Sequence, residues 1–190
     1  MVRKGIANDP SRKARISKAA LDIVAESGLR AATHRRIADR AGVPLGSVTY
    51  HFADIDEILA SAFETLGEQI APRYNDAIAA APNQYAARRV LVDAVCGSSR
   101  ATEWELRLIR EMYAYGSVSH RVRNLIRAFE ESSLRALQTH FPEPAARALD
   151  ALVEGWWIYQ SWAPEALDED MVRDAIDAIA DKFGPCHQRG

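Results

Sequence analysis

The side chains in this sequence that could do chemistry cluster near one end, and their chemistry is recognition. Thr33, Arg35 and Arg36 are followed closely by Leu45, Gly46, Ser47, Thr49, Tyr50 and His51. An arginine fork can pair with guanine O6 and N7, and hydroxyls can bond phosphate or base. Tyr50 and His51 can hydrogen-bond phosphates, contacts that position a protein on a duplex. The residue sets that make and break bonds are missing. The chain has no GxSxG, no phosphate-cradling glycine loop, no HExxH, no CxxC and no paired His/carboxylate cluster. No cofactor and no metal site is expected, and the protein is not expected to be an enzyme.

The elements that must position these residues follow from spacing. Residues 33–52, THRRIADRAGVPLGSVTYHF, read as a helix-turn-helix. Thr33 can cap the first helix. Ile37 and Ala38 sit where that helix must pack on a second, and Ala41 is small where the two cross. Gly42 ends the first helix at a position that usually needs φ > 0. Val43 plugs the turn, Pro44 can open the second helix, and Val48 points back at Ile37 and Ala38. A helix pinned this way projects its other face outward, as a major-groove reader requires. An Ala-x-x-x-Gly-Val turn also occurs in helical proteins that bind nothing, so the neighbouring chain matters.

The chain has 190 residues, 48% hydrophobic and 26% charged, as expected of an ordinary chain that can bury a core. No apolar run approaches a membrane span, and the basic residues 1–15 lead into no apolar segment, so no signal peptide is expected. Cys96 and Cys186 fit no metal or disulfide spacing, which makes a reducing cytoplasm the simplest home. Charge is uneven. Residues 1–52 hold ten Lys/Arg against four Asp/Glu, and residues 53–190 hold fourteen against twenty-two. A basic first third on an acidic body suits a small domain that meets phosphates.

The remaining pattern is helical throughout. A first helix follows Asp9 and Pro10, with Ile16, Ala19, Ala20, Ile23 and Val24 at helical spacing up to Ser27-Gly28. Asp54 can cap a long helix to about Ala80. Further helices are expected from Pro82 to about Val95, around Trp104 to Tyr113, from Val118 to about His140, from Pro142 to Pro164, and from about Asp168 to Phe183. The expected organisation is a helix-turn-helix domain over 1–53, a larger helical domain over 54–184 and a disordered tail over 185–190.

With these residues in place the sequence resembles the TetR family of bacterial transcriptional repressors. The matching elements are AESGLRAATHRRIADRAGV and GSVTYHF followed by DIDEIL. The resemblance implies an all-α fold of about nine helices and a homodimer. Three helices would bind a double-stranded operator, the middle helices would enclose a ligand pocket, and the last two would pair with the other subunit. Carried over by position, Thr33 matches a frequent phosphate contact, Arg35 a base-edge contact, and Leu45, Gly46, Ser47, Thr49, Tyr50 and His51 the face toward DNA. Two departures stand out. Thr49 replaces a tyrosine common in relatives, and Ile55 replaces a lysine that anchors phosphate at the start of the fourth helix. The missing anchor shifts the expected load to Arg3, Lys4, Arg12, Lys13, Arg35 and Arg36, with the basic arm a candidate for the minor groove. The main-chain amides at the fourth helix start could substitute for the lysine, but Asp54, Asp56 and Glu57 sit close by and would repel a phosphate.

For the implied pocket, aromatics with a polar tip suit a flat or amphipathic molecule. The expected lining is Phe63, Trp104, Leu108, Met112, Tyr113, Trp156 and Tyr159. Leu149, Leu152, Val153, Trp157, Val172, Ile176 and Ile179 are the apolar residues assigned to the dimer contact, with intrachain core as the alternative for each. The effector is unknown and expected to be hydrophobic or aromatic. The competing readings are a DNA-binding dimer without a small ligand and a helical enzyme with no recognisable motif.

Overall fold

A computed structural model describes residues 10–163 and 165–184. The expectations for Arg3, Lys4, Asp9, Pro164 and Cys186 and for the tail over 185–190 fall outside the described residues. Within them the fold is all-α, with nine α-helices, one 3-10 turn and no strand. The helices are α1 (Pro10–Ser27), α2 (His34–Ala41), α3 (Leu45–His51), α4 (Ile55–Ala79), α5 (Gln84–Cys96), α6 (Glu103–Gly116), α7 (His120–Leu137), α8 (Glu143–Gln160) and α9 (Glu169–Phe183). The 3-10 turn, Leu29–Ala31, lies between α1 and α2 and has no counterpart in the sequence reading.

The chain divides into two compact units, the first ending at Thr65 and the second beginning at Leu66. The sequence reading placed this division at residues 53/54. The physical reason for the shift is that the first turns of α4 are core of the first unit. Ile58, Leu59, Ala62 and Phe63 are buried there, and Ser61 and Ser17 of α1 are joined hydroxyl to hydroxyl at 3.1 Å.

In the first unit, Ile16, Ala20 and Ile23 of α1 are buried, as are Ile37, Ala38 and Val48, so the apolar stripe at helical spacing closes on the helix-turn-helix. In the second unit the core collects Leu91 and Val95 of α5, Leu137 and Phe141 around the end of α7, Leu149 and Val153 of α8, and Val172, Ile176 and Ala180 of α9. Arg88 ties α5 to α9 by donating to Asp177 at 3.1 Å and Asp181 at 2.6 Å. The α6 start carries a capping box between Thr102 and Glu105, and Arg73 of α4 also pairs with Glu105. Helix α4 continues through Pro72. That proline is exposed, so its missing N–H leaves no dry carbonyl, while Tyr74 and Ile78 beyond it are held in the core.

Candidate functional site

The helix-turn-helix is built by caps at each end. The Thr33 hydroxyl accepts from the Arg36 N–H at 3.3 Å, closing the first turn of α2. Gly42 sits in the left-handed region at φ 62°, ψ 42°, where a side chain would strain the backbone, and its N–H returns to Ala38 and Asp39. Arg15 of α1 reaches the carbonyls that α2 leaves open, donating to Ala41 at 2.6 Å and Gly42 at 3.3 Å. Sequence reasoning missed this contact, because a lone exposed arginine on α1 has no local partner. Pro44 is one residue earlier in the geometry than expected. It is the N-cap of α3, with extended ψ of 144°, and Leu45 begins the helix.

Helix α3 then sorts its residues by face. Val48 and Ser47 are buried, whereas Leu45, Gly46, Thr49 and Tyr50 are exposed, Tyr50 by 77%. Ser47 was expected on the outward face. It instead lies beside Val48 against the unit's interior, because adjacent helical residues differ by only about 100°. Tyr50 and His51 stack edge to face at 5.2 Å. No atom lies within 4 Å of a Cβ built on Gly46, so the helix backbone is bare there.

The cations differ in how they are held. Arg36 donates to Ser27 at 3.0 Å, Arg40 forms a forked pair with Glu26 at 2.8 and 2.5 Å, and Lys13 lies 5.4 Å from the Phe52 ring centre. Arg35 is exposed and enters no ion pair among the described residues. Two amides at the start of α4 are already engaged by carboxylates. The Ala53 N–H donates to Glu57 at 2.7 Å and the Glu57 N–H to Asp54 at 2.7 Å, so the chain's own carboxylates occupy that terminus. Two of the acids expected to repel a phosphate at this terminus, Asp54 and Glu57, are the groups that hold these amides.

The second unit holds a cavity of about 90 Å³ among α4, α6, α7 and α8. Its walls are mostly apolar: Leu66, Ile70, Ile109, Met112, Phe129, Val153 and Trp157. Set into them are two acids one turn apart on α8, Asp150 and Glu154. Ser133 donates to Asp150, and the Tyr113 hydroxyl donates to Glu154 at 2.6 Å. Burial pushes the Glu154 carboxyl up to about 7, against the Tyr113 hydrogen bond that favours its charge, and neighbouring Asp150 and Glu130 push the same way as burial. Burial also raises Asp150. Tyr74 is 8% exposed, and its hydroxyl has no hydrogen bond of good geometry. The Phe129 ring lies directly over Gly67, where an added Cβ would meet Cζ at 1.9 Å.

A family model described as bacterial regulatory proteins, tetR family, matches residues 16–62. The HTH-type transcriptional regulator BetI 1 of Chromohalobacter salexigens is 30% identical, over 92% of this chain and 91% of its own. The chain belongs to the TetR family. Among solved structures, SCO7518 from Streptomyces coelicolor A3(2) is 36% identical at a TM-score of 0.83, covering 90% of this chain and 99% of that one. The multidrug binding protein EbrR, complexed with imidazole, is 26% identical at a TM-score of 0.77, covering 90% and 96%.

In this TetR-family chain the residues assigned to a ligand divide. Met112 and Tyr113 line the cavity. Phe63 is fully buried in the first unit, and Leu108 is fully buried without reaching the cavity. Trp104 and Trp156 are half-buried outside it, and Tyr159 is 46% exposed, paired edge to face with Trp162. The dimer set divides too. Leu149, Val153, Val172 and Ile176 have no surface to offer a second copy, being at most 1% exposed. Their apolar character serves the intrachain core. Leu152 and Ile179 are half-buried against that core. Trp157 lines the cavity and donates its indole N–H to the Ala94 carbonyl at 3.0 Å.

The residues missed were Tyr74, Phe129, Ser133, Asp150 and Glu154. An acid at an otherwise apolar helical position was the available signal, since Asp150 and Glu154 interrupt the stripe of Leu149, Val153 and Trp157. No metal-holding group and no membrane-length apolar helix occurs among the described residues.

Proposed function

We propose that this TetR-family regulator is a repressor that binds a palindromic double-stranded operator as a homodimer and is released by a small molecule. Its action is in the cytoplasm and involves no catalysis of its own. The observation that carries this reading is the outward face of α3. Leu45, Gly46, Thr49 and Tyr50 face solvent on a helix whose other side is pinned by Val48, with uncommitted Arg35 alongside on α2. Arg35 supplies base readout. Thr33, Arg36, Thr49, Tyr50 and His51 supply phosphate and sugar contacts.

A dimer follows from arithmetic of recognition, because one short helix reads few base pairs and two related by a twofold read a palindrome. The contact is assigned to the outer stripe of α8, where Ala151, Gly155 and Tyr159 are exposed, with Leu152, Ile158 and Ile179 beside it. Gly155 has no neighbour within 4 Å of an added Cβ. EbrR forms complexes with ethidium, proflavin and malachite green as well as imidazole. Flat nitrogen-containing rings bound by a relative support an effector for the cavity here. Helix α4 has residues in both units, so an effector that prefers one position of α4 would bias the recognition helices through that preference.

The test begins with duplexes selected from a random pool and from DNA upstream of the gene. Specific binding that a small-molecule panel releases, together with a thermal shift from the same molecules, would support the reading. Specific binding unaffected by a broad panel would leave a DNA-binding dimer without a small ligand. Gly155→Arg should convert the dimer to monomer in sedimentation, and an unchanged dimer would move the interface elsewhere.

A further inference from the structure

We propose that the cavity of the second unit takes an organic cation, a charged nitrogen on an apolar or aromatic body, with Glu154 and Asp150 as its counter-charges. This rests on the effector reading above and narrows it to a chemical class. Three observations carry it. The lining residues include two acids, and among the described lining residues none is basic. Among the described residues, those acids accept hydrogen bonds from neutral hydroxyls only, Tyr113 on Glu154 and Ser133 on Asp150. The Tyr74 hydroxyl, on a side chain more than nine-tenths buried in the same wall, has no hydrogen bond of good geometry, the neighbouring Ser133 hydroxyl being engaged with Asp150.

A buried carboxylate without a cation is costly, and the group responds by keeping its proton. The groups acting on Glu154 are Tyr113 from α6, Glu130 from α7 and its own neighbour Asp150, none of which supplies positive charge. A ligand that brings a positive charge ends that conflict, while a neutral ligand leaves it standing. The rest of the wall suits the rest of such a molecule. Tyr74 and Trp157 meet edge to face at 5.7 Å, and Phe129 and Tyr113 add further rings whose faces attract cations. The cavity's roughly 90 Å³ is well below the ~300–1,000 Å³ of sites for drug-sized ligands. The occupant is therefore small, or it displaces the Phe129 ring from Gly67.

The mechanism has a proton signature. Cation binding requires ionised Glu154, whose carboxyl is held up near 7 by burial and by neighbouring acids. Binding therefore releases a proton below that pH, and affinity falls by up to about tenfold per unit as pH drops through 7 toward 5.

The experiment is calorimetric titration of the full chain with benzyltrimethylammonium, whose charge is fixed at every pH, beside neopentylbenzene, its uncharged isostere. At pH 8 the cation should bind at least about tenfold tighter than the isostere. That preference should shrink toward pH 5.5 and vanish in Glu154→Gln/Asp150→Asn. Glu154→Gln alone, nearly isosteric, guards against a double variant that does not fold, and should lose the pH slope while melting cooperatively. Equal or tighter binding of the isostere, or a preference that survives both substitutions, overturns the cation assignment and leaves the effector reading intact. Failure of both probes to bind at millimolar concentration overturns it as well, and the release of DNA by the broader panel then decides the effector reading separately.

Discussion

The two units of this protein handle charge in opposite ways. The first displays basic side chains in water, on helices whose inner faces are mostly apolar and carry no buried charge. Its arginines either lock the fold, as Arg15 does on Ala41 and Gly42, or stay uncommitted, as Arg35 does. The second buries acids in an apolar wall and answers them only with hydroxyls. Charge held in water is weakly shifted, strongly screened by salt and free to meet a polyanion. Charge held under cover is sensitive to pH and to whatever enters the cover. The two units thereby respond to different conditions, one to ionic strength and one to protonation.

The largest effect that would break this contrast is on stability against pH. Glu154 has a folded value raised above the ordinary carboxylate range, to about 7. Its favourable contribution is therefore complete below about 4.5 and is lost as pH rises through 7. Chemical denaturation should show a loss on the order of 2 kcal/mol between pH 5 and pH 8 in wild type. In Glu154→Gln that loss should largely disappear. A wild type whose stability is flat across this window would mean that the acid is solvated.

A smaller effect isolates the first unit. Thr33→Ala removes the cap on Arg36 and should cost about 1 kcal/mol of stability. Its melting curve is the check, and the pH dependence of the second unit should not change with it. A shift in that pH dependence would mean that the Thr33 cap and the buried acids are coupled in stability.

The smallest effect has two signs. Gly46→Ala should stabilise α3 by about 0.5–1 kcal/mol, since the space around its Cβ is empty. DNA binding should weaken all the same, because a methyl would stand where the helix backbone approaches a duplex. A variant that melts higher and binds DNA as well as wild type would move the recognition surface away from Gly46.

How far the sequence was legible follows the same division. The helix-turn-helix is a local device, so Thr33, Gly42 and Val48 announce their roles by type and spacing. The position of Ser47 was lost because one step along a helix turns a side chain inward. The end of the first unit was lost because Phe63 and Leu59 have the same spacing as a pocket wall. In the second unit the cavity depends on how α4, α6, α7 and α8 converge, which periodicity cannot supply. Aromatics were read as the site, yet Trp104, Trp156 and Tyr159 lie outside it, while Phe129 and Trp157 line it. Leu149, Val153, Val172 and Ile176 read equally as interface or core, since an apolar helical stripe has the same pattern in both. The acids Asp150 and Glu154 were missed, although each stands beside such a stripe as an acid among apolar neighbours.

The central claim is that Arg35 is a reader and not a strut, and one measurement addresses it directly. Wild type and Arg35→Ala are titrated onto the selected operator and onto an unrelated duplex across a salt series, with melting recorded for both proteins. The expected result is a loss of about 1–3 kcal/mol on the operator. Binding to the unrelated duplex should change little, and melting should be unchanged. Equal operator affinity in the two proteins, or a loss that follows a drop in melting temperature, would contradict the account.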